Sequence, residues 1–174
     1  MKKLVVFFAA LFIMVIAVQN VNAQSSATAA SSANVLQALA ILNDAPLNFG
    51  DISATATAGT VSIDNTGARS RTGGAAPVGA DGEFAQFTIT GPANETIAIT
   101  LNQTSFNVTN TGGSGETMEV TLNASDVTTA TGTTSTGGTG EVILKFGGTV
   151  NVAANQAIGL YENDAAFEVT VDYN

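Results

Sequence analysis

Short runs in which apolar and polar residues alternate with a period of two dominate the chain from residue 84 onward. Glu141–Val152 is the densest, with Val142, Leu144 and Phe146 falling on one face. Alternation of this kind is typical of a β-strand that buries one face and leaves Thr or acidic side chains in water on the other. The predicted strands are Gly59–Asp64, Ala85–Thr90, Thr96–Leu101, Met118–Leu122, Glu141–Val152 and Phe167–Tyr173.

The segments between these runs are rich in Gly, Thr, Ser and Asn, the composition of turns. They are Asn65–Gly82, Gly91–Glu95, Thr111–Gly115 and Ala124–Gly140, and helical periodicity of useful length is missing after residue 50. Roughly seven short strands in one domain predict an all-β fold, an immunoglobulin-like antiparallel β-sandwich. A closed barrel is the alternative, but the uneven strand spacing and long Gly/Thr loops favour the sandwich.

The first 23 residues have the organisation of a secretory signal peptide. Lys2 and Lys3 precede an apolar run from Leu4 to Val18, which is shorter than the roughly 20 residues that span a bilayer. Val21-Asn22-Ala23 then supplies compact residues suited to signal-peptidase cleavage. We therefore expect residues 1–23 to be removed and no membrane span to remain, a retained membrane anchor being the alternative.

The segment after the signal, residues 24–34, reads as an N-terminal arm before a single domain, residues 35–174. If the arm is extended, Ala27, Ala29, Ala33 and Val35 fall on one face and continue toward Leu39 and Ile41. A helix over Asn34–Leu42 is the alternative, because Val35, Leu39 and Leu42 also fit helical spacing. The arm is either a mobile terminus or an extended segment with a binding role.

Composition and charge exclude several classes of function. The 174 residues carry 5 Lys+Arg against 14 Asp+Glu, a formal net charge of −9, so a nucleic-acid partner is not expected. Cys, His and Trp are absent, which removes the thiolate nucleophile, the usual general base and the commonest transition-metal ligands. We expect no enzymatic activity, no cofactor and no metal.

The remaining charged residues have ordinary interpretations. Carboxylates at Asp64, at Asp81 and in the 162–164 segment are the kind of ligand that Ca²⁺ takes, but solvated acidic loops are the simpler interpretation. Arg69 and Arg71 are predicted in the loop after the Gly59–Asp64 strand. Lys145 alternates with Leu144 and Phe146 and is predicted to face solvent.

Several blocks of sequence together resemble a bacterial family called domain of unknown function 4402. They are Leu47-Asn48-Phe49-Gly50, Gly59-Thr60-Val61-Ser62-Ile63-Asp64, Arg69-Ser70-Arg71-Thr72-Gly73-Gly74, Ala85-Gln86-Phe87-Thr88-Ile89-Thr90-Gly91, Phe146-Gly147-Gly148-Thr149-Val150-Asn151-Val152, Asn155-Gln156-Ala157-Ile158-Gly159-Leu160-Tyr161 and Phe167-Glu168-Val169-Thr170-Val171-Asp172-Tyr173-Asn174. That family is similar to the spore coat protein U domain and to the archaic chaperone–usher pilins. The resemblance implies an incomplete sandwich that is exported and polymerised into fibres, without enzymatic activity. The chain lacks the disulfide that archaic pilins commonly carry.

The predicted last strand connects this resemblance to a physical argument. A sandwich that is missing one strand exposes unpaired backbone groups and an apolar groove, which an extended segment of another subunit fills. The predicted subunit interface consists of Ala27, Ala29, Ala33 and Val35 on the arm and Phe167, Val169, Val171 and Tyr173 on the last strand. The expected function is that of a structural subunit of a bacterial surface fibre.

The expected partners follow from that function. They are copies of the chain or related subunits, a periplasmic chaperone and an outer-membrane usher, with the protein passing through the periplasm to the cell surface. The alternative is a self-complete surface or periplasmic binding module, such as an adhesin domain, whose groove its own chain covers.

Overall fold

The computed structural model describes residues 24–79, 82–124 and 131–174, with the backbone alone at residues 124 and 131–135. The predicted signal peptide and Asp81 lie outside the described residues. Residues 36–174 form one compact unit. Residues 24–35 are described separately, and they are exposed and without helix or strand.

Every regular element of the described chain is a β-strand, and every pairing is antiparallel. The strands are β1 (Ala40–Ala45), β2 (Ile52–Ser53), β3 (Gly59–Ile63), β4 (Arg69–Gly73), β5 (Ala76–Pro77), β6 (Ala85–Thr90), β7 (Thr96–Leu101), β8 (Ser105–Asn110), β9 (Thr117–Ala124), β10 (Thr131–Ser135), β11 (Glu141–Val152), β12 (Tyr161–Glu162) and β13 (Val169–Tyr173).

The strands form one large curled sheet, a second sheet of three strands and a small two-stranded ladder. The large sheet has the order β1-β6-β11-β9-β8-β12, and the β3–β4 hairpin joins it along β11. The second sheet has the order β10-β7-β13, and β2 pairs with β5. This all-β, antiparallel, sandwich-like arrangement confirms the predicted fold class.

Strand β11 organises the large sheet, because it pairs with three different strands. Its first half, Glu141–Phe146, pairs with β6, and its second half pairs with β3 on the same edge. On the other edge, residues 146–150 pair with β9. A strand that changes neighbour partway along its length carries two separate groups of inward side chains.

Those two groups anchor two hydrophobic clusters. The first cluster lies between the two sheets and consists of Ala85, Ile89, Ile97, Ile99, Leu101, Leu144, Phe146 and Val169. The second consists of Val61, Ala75, Val120, Val150 and Val152, and the chain between β1 and β3 packs onto it through Leu47, Phe49, Ile52 and Ala54. Burial of these aliphatic side chains supplies most of the favourable free energy of folding.

Three strands lie in segments that the sequence predicts as turns. Strands β4 and β5 fall in the predicted turn Asn65–Gly82, and β10 falls in the predicted turn Ala124–Gly140. Arg69 and Arg71 are therefore on β4 and not in a loop. Strand β4 exposes most of its residues, so it has no apolar alternation for a pattern to reveal.

The prediction also lacks one alternating strand and places the start of the last strand too early. Strand β8 alternates, with Phe106 and Val108 partly buried, and is not among the predicted strands. The last strand begins at Val169, and Phe167 precedes it. The alternative of a helix over Asn34–Leu42 is wrong, because residues 34–39 form no helix and β1 begins at Ala40.

Candidate functional site

Strand β13 has one paired edge and one open edge. Its inner edge pairs with β7 in the register Val169–Leu101, Val171–Ile99 and Tyr173–Ile97. Among the residues that the structure describes, no strand pairs with its other edge. The open edge therefore presents a row of backbone N–H and C=O groups to a further strand.

The inward side chains of β13 become more accessible along the strand. Val169 is 8% exposed, Val171 is half-buried, and Tyr173 is 36% exposed. All three alternate with the outward Thr170 and Asp172. The interior is thus well covered where β13 begins and open to solvent where it ends.

The same opening is visible on the facing side of the first cluster, along edge strand β1. Ile41 lies directly opposite Ile89 and shares its inward face, yet Ile41 is 37% exposed while Ile89 is fully buried. Leu39 packs partly against the cluster, and the Tyr173 hydroxyl donates a hydrogen bond to the Gln37 carbonyl. Between β1 and β13 the apolar interior is left incompletely covered.

Phe167 closes the other end of this opening. Its ring contacts Phe87 and Phe146 in edge-to-face geometry, each with centroids 5.8 Å apart, and stacks on Phe106 at 6.0 Å. The Gln103 side-chain amide also donates a hydrogen bond to the carbonyl of Ala166. These contacts fix the chain where it enters β13, so the edge is held in place.

The predicted interface residues fall into two groups. Phe167, Val169 and Val171 pack against the first cluster, and Tyr173 continues their inward series at the end of β13. Ala27, Ala29, Ala33 and Val35 are all exposed in the arm, which has neither helix nor strand. The predicted interface omits Leu39 and Ile41, although both continue the odd-numbered apolar series of the arm.

Other polar features of the described chain have structural explanations. Asp64 accepts hydrogen bonds from the Thr66 hydroxyl at 2.6 Å, the Thr66 amide at 2.8 Å and the Ala68 amide at 2.9 Å. These bonds hold the pKa of Asp64 below its usual value. Arg69 donates to the carbonyl of Asp51 at 3.0 Å, and Lys145 lies over the Phe84 ring at 4.9 Å from its centroid.

The described ranges contain no group of three or more carboxylate, His or Cys side chains that is placed to hold a metal ion. Within the same part of the chain, no helix has the length and apolar character needed to cross a membrane.

A second surface feature lies on the outer face of the large sheet. Side chains of neighbouring strands line a shallow, open groove of about 600 Å³, and the polar Thr60, Asn107, Glu119 and Asn151 lie there beside apolar residues such as Met118 and Val152. The Asn151 amide donates to Glu119 at 3.3 Å. This surface offers both donors and acceptors in one plane.

The structure therefore defines an all-β, sandwich-like protein with a short edge strand that is backed by apolar interior and open on one side. The chain belongs to the family described as Domain of unknown function (DUF4402), whose model matches residues 39–173, as the resemblance predicts. No curated protein matches the chain, and no solved structure matches it.

Proposed function

We propose that the protein is an exported structural subunit of a bacterial surface fibre and that it assembles by donating a β-strand. In this proposal the N-terminal arm of one subunit pairs with the open edge of β13 in the next. The observation that carries it is the open edge itself. The inward Val169 and Val171 of β13 pack in the first cluster, yet no strand in the described chain pairs with the outer edge of β13.

The proposed donor has the length and chemistry that the edge requires. Strand β13 has five residues, which an extended segment matches over about 17 Å. The arm has no Pro to interrupt a hydrogen-bonded ladder. Backbone hydrogen bonds supply affinity, and the odd-numbered side chains Ala27, Ala29, Ala33 and Val35 set the register against the opening.

Small donor side chains suit a partly covered opening. Ile41 and Tyr173 already occupy its rims, so a donor with bulky side chains on every odd position overpacks the space between them. Each Ala methyl contributes little apolar area at about 25 cal/mol per Å². The ladder of backbone bonds then carries most of the binding free energy.

Export and assembly partners are part of the same proposal. The signal at residues 1–23 directs the chain across the inner membrane, and cleavage after Ala23 frees the arm at Gln24. A periplasmic chaperone that occupies the open edge keeps the subunit monomeric, and an outer-membrane usher exchanges the chaperone for the next subunit's arm. Neither step requires catalysis or a cofactor from this chain.

The arm provides a test with a matched control, because neighbouring positions point to opposite faces. Ala29→Asp places a carboxylate in the opening, whereas Ala30→Asp adds the same charge on the outward face. We expect Ala29→Asp and deletion of residues 24–34 to abolish polymers in sedimentation and electron microscopy, and Ala30→Asp to leave them intact. Circular dichroism of each variant checks that the subunit stays folded. Polymers of normal length from the deletion variant, or equal effects at the two positions, contradict strand donation.

The shallow groove on the outer face of the large sheet favours one alternative, that the protein is a binding module for a ligand with both apolar and hydroxyl groups, such as a glycan. Asn107, Glu119 and Asn151 offer the donors and acceptors that sugar hydroxyls take. In this case the arm deletion is silent, and Asn151→Ala reduces binding on a glycan array. Loss of polymers on arm deletion with no glycan retained supports the fibre subunit.

A further inference from the structure

The chain enters β1 through a short segment that lies beside the opening between β1 and β13. This arm root, residues 36–39, has neither helix nor strand and belongs to the same compact unit as the strands. Gln37 and Ala38 are exposed, whereas Leu39 is half-buried. Two separate contacts hold the arm root against the folded domain, one through Leu39 and one through Gln37.

Leu39 makes the first contact, at the turn that follows β6. Its side chain packs against the first hydrophobic cluster. Gly91 leaves the space for this packing, because a Cβ added at Gly91 would lie 2.5 Å from the Cδ2 atom of Leu39. Two carbon atoms do not approach so closely, so a larger residue at position 91 displaces the Leu39 side chain.

Gln37 makes the second contact, across the opening. The Tyr173 hydroxyl donates a hydrogen bond to the Gln37 carbonyl. Tyr173 is the last residue of β13, and Gln37 lies just before β1, which begins at Ala40. The hydrogen bond therefore joins the two edges that flank the opening.

A donor strand and this hydrogen bond compete for the same space. A strand inserted beside β13 and facing β1 needs two strand spacings, roughly 10 Å, between the backbones that flank it. At the end of β13, the Tyr173 side chain crosses that gap and reaches the backbone of the arm root. Phe167 and its aromatic contacts close the other end of the opening. An arriving strand consequently meets an existing contact at each end.

We propose that the arm root is an autoinhibitory contact. It closes the Tyr173 end of the opening in the free subunit, and it is released when the arm of a second copy of this chain pairs with β13. The inference rests on the proposed strand donation. A subunit whose arm root is in place does not accept a donor along the whole of β13, so its apparent affinity falls by the fraction of subunits that are closed.

The strength of the two contacts suits this role. One hydrogen bond and one half-buried Leu stabilise the closed state only slightly. A donor that pairs with all five residues of β13 gains a ladder of backbone hydrogen bonds and displaces the arm root. The contact therefore lowers the affinity of the free subunit for a donor without preventing assembly.

Two substitutions release the arm root at different points. Tyr173→Phe removes the hydroxyl that bonds Gln37, and Gly91→Ala displaces Leu39. The probe is a fluorescent synthetic peptide of residues 24–35, titrated with the exported chain at nanomolar concentration and followed by fluorescence anisotropy. We expect each substitution to lower the apparent Kd about threefold to tenfold, the range that one net hydrogen bond corresponds to.

Two matched controls make the same chemical changes away from the opening. Tyr161→Phe removes a hydroxyl that bonds the Ala157 carbonyl, on β12 at the opposite edge of the large sheet from β1. Gly138→Ala adds a methyl group at a position where no heavy atom of the described chain, apart from its neighbours in sequence, lies within 4 Å. Both are expected to keep the apparent Kd within about twofold of the parent value.

A spin label reports the state of the arm root directly, because the chain has no native Cys. A nitroxide on Ala38→Cys is expected to become more mobile in its electron paramagnetic resonance spectrum when the peptide saturates the chain. The same label on Ala154→Cys, an exposed position after β11, should not change. An unchanged spectrum at position 38 in the saturated chain overturns the inference.

The outcomes distinguish this inference from strand donation itself. Equal Kd values for the parent chain, Tyr173→Phe and Gly91→Ala overturn the autoinhibitory contact and leave strand donation standing. Equal decreases in the two controls also overturn it, because they indicate a general loosening of the fold. A peptide that binds none of the proteins overturns strand donation and the inference together. If Gly91→Ala does not fold by circular dichroism, Tyr173→Phe alone decides, since its side chain is exposed.

Discussion

The two halves of strand β11 support hydrophobic clusters of different kinds. The second half, ending at Val150 and Val152, is covered on its inward side by the chain's own segment 47–54 and by Ala75. The first half faces β7 and β13, where the covering sheet stops at an open edge. Both halves carry inward aliphatic residues, so the opening lies where the covering sheet ends at β13 and does not come from a shortage of apolar side chains.

This difference separates a cluster that the described chain covers from one that it covers only in part. The covered cluster is complete within one chain and is expected to supply most of the stability of the fold. The open cluster is complete only where Phe167 and Val169 seal it, and it becomes accessible toward Ile41 and Tyr173. If the protein assembles as proposed, a strand bound at the open edge of the folded chain raises its stability.

The largest expected effect comes from placing the same carboxylate in each cluster. Val150→Asp buries an unpaired charge in the covered cluster and is expected to cost several kcal/mol, enough to abolish folding against a total stability of about 5–15 kcal/mol. Val171→Asp lies where water reaches the opening and is expected to cost about 1–2 kcal/mol. Urea unfolding followed by circular dichroism measures both.

Ile143→Asp, on the exposed face of the same strand as Val150, is the control and should change the free energy of unfolding by less than about 0.5 kcal/mol. If Val171→Asp unfolds the protein as completely as Val150→Asp, the inner face of β13 is sealed. The open-edge interpretation is then wrong.

A smaller effect tests whether the two clusters unfold together. Phe106 packs on the covered cluster, Phe167 packs on the open one, and their rings stack with centroids 6.0 Å apart. In a double-mutant cycle of Phe106→Leu and Phe167→Leu, we expect a coupling energy of about 0.5–1.5 kcal/mol. The control cycle joins Phe106→Leu with Phe84→Leu, whose ring lies beneath Lys145, and should be additive. Additivity in the first cycle instead means that the clusters are energetically independent.

The sequence predicts those strands that bury one face and leave the other in water. Strands β6, β7 and β11 alternate because one sheet face meets the core, and this pattern is visible without a structure. Strand β4 is invisible to the same reasoning, since nearly all its residues are exposed and its stability comes from backbone pairing with β3. Strand β8 does alternate at Phe106 and Val108, so the sequence contains the pattern that predicts it.

The candidate site is only partly readable from sequence for a different reason. Alternation in Phe167–Tyr173 identifies an inward face. It does not show which edge of the strand is open, because that depends on β13 pairing with β7 and with no other described strand. The exposure of Ile41 likewise depends on the tertiary structure, because β1 lies at the edge of its sheet and no described element covers the Ile41 side chain completely.

The smallest expected effect is a change in thermal stability at acidic pH. It involves Asp64, which lies in the turn between β3 and β4, in the covered half of the molecule. Hydrogen bonds from Thr66 and Ala68 favour the charged carboxylate in the folded state and lower its pKa from 3.8. A group whose pKa is depressed by folding stabilises the protein above its unfolded pKa, and this contribution disappears as the pH falls through the folded value. The melting temperature of the parent chain should therefore fall on acidification below about pH 4, and Asp64→Asn should make that fall shallower.

Asp172→Asn on exposed β13 controls for the general loss of negative charge. The measurement is the melting temperature of the three proteins at a series of pH values, at constant ionic strength. If the parent and Asp64→Asn curves stay parallel through the acid range, the Asp64 turn contributes nothing that depends on its charge, and the hairpin is held by its backbone ladder alone.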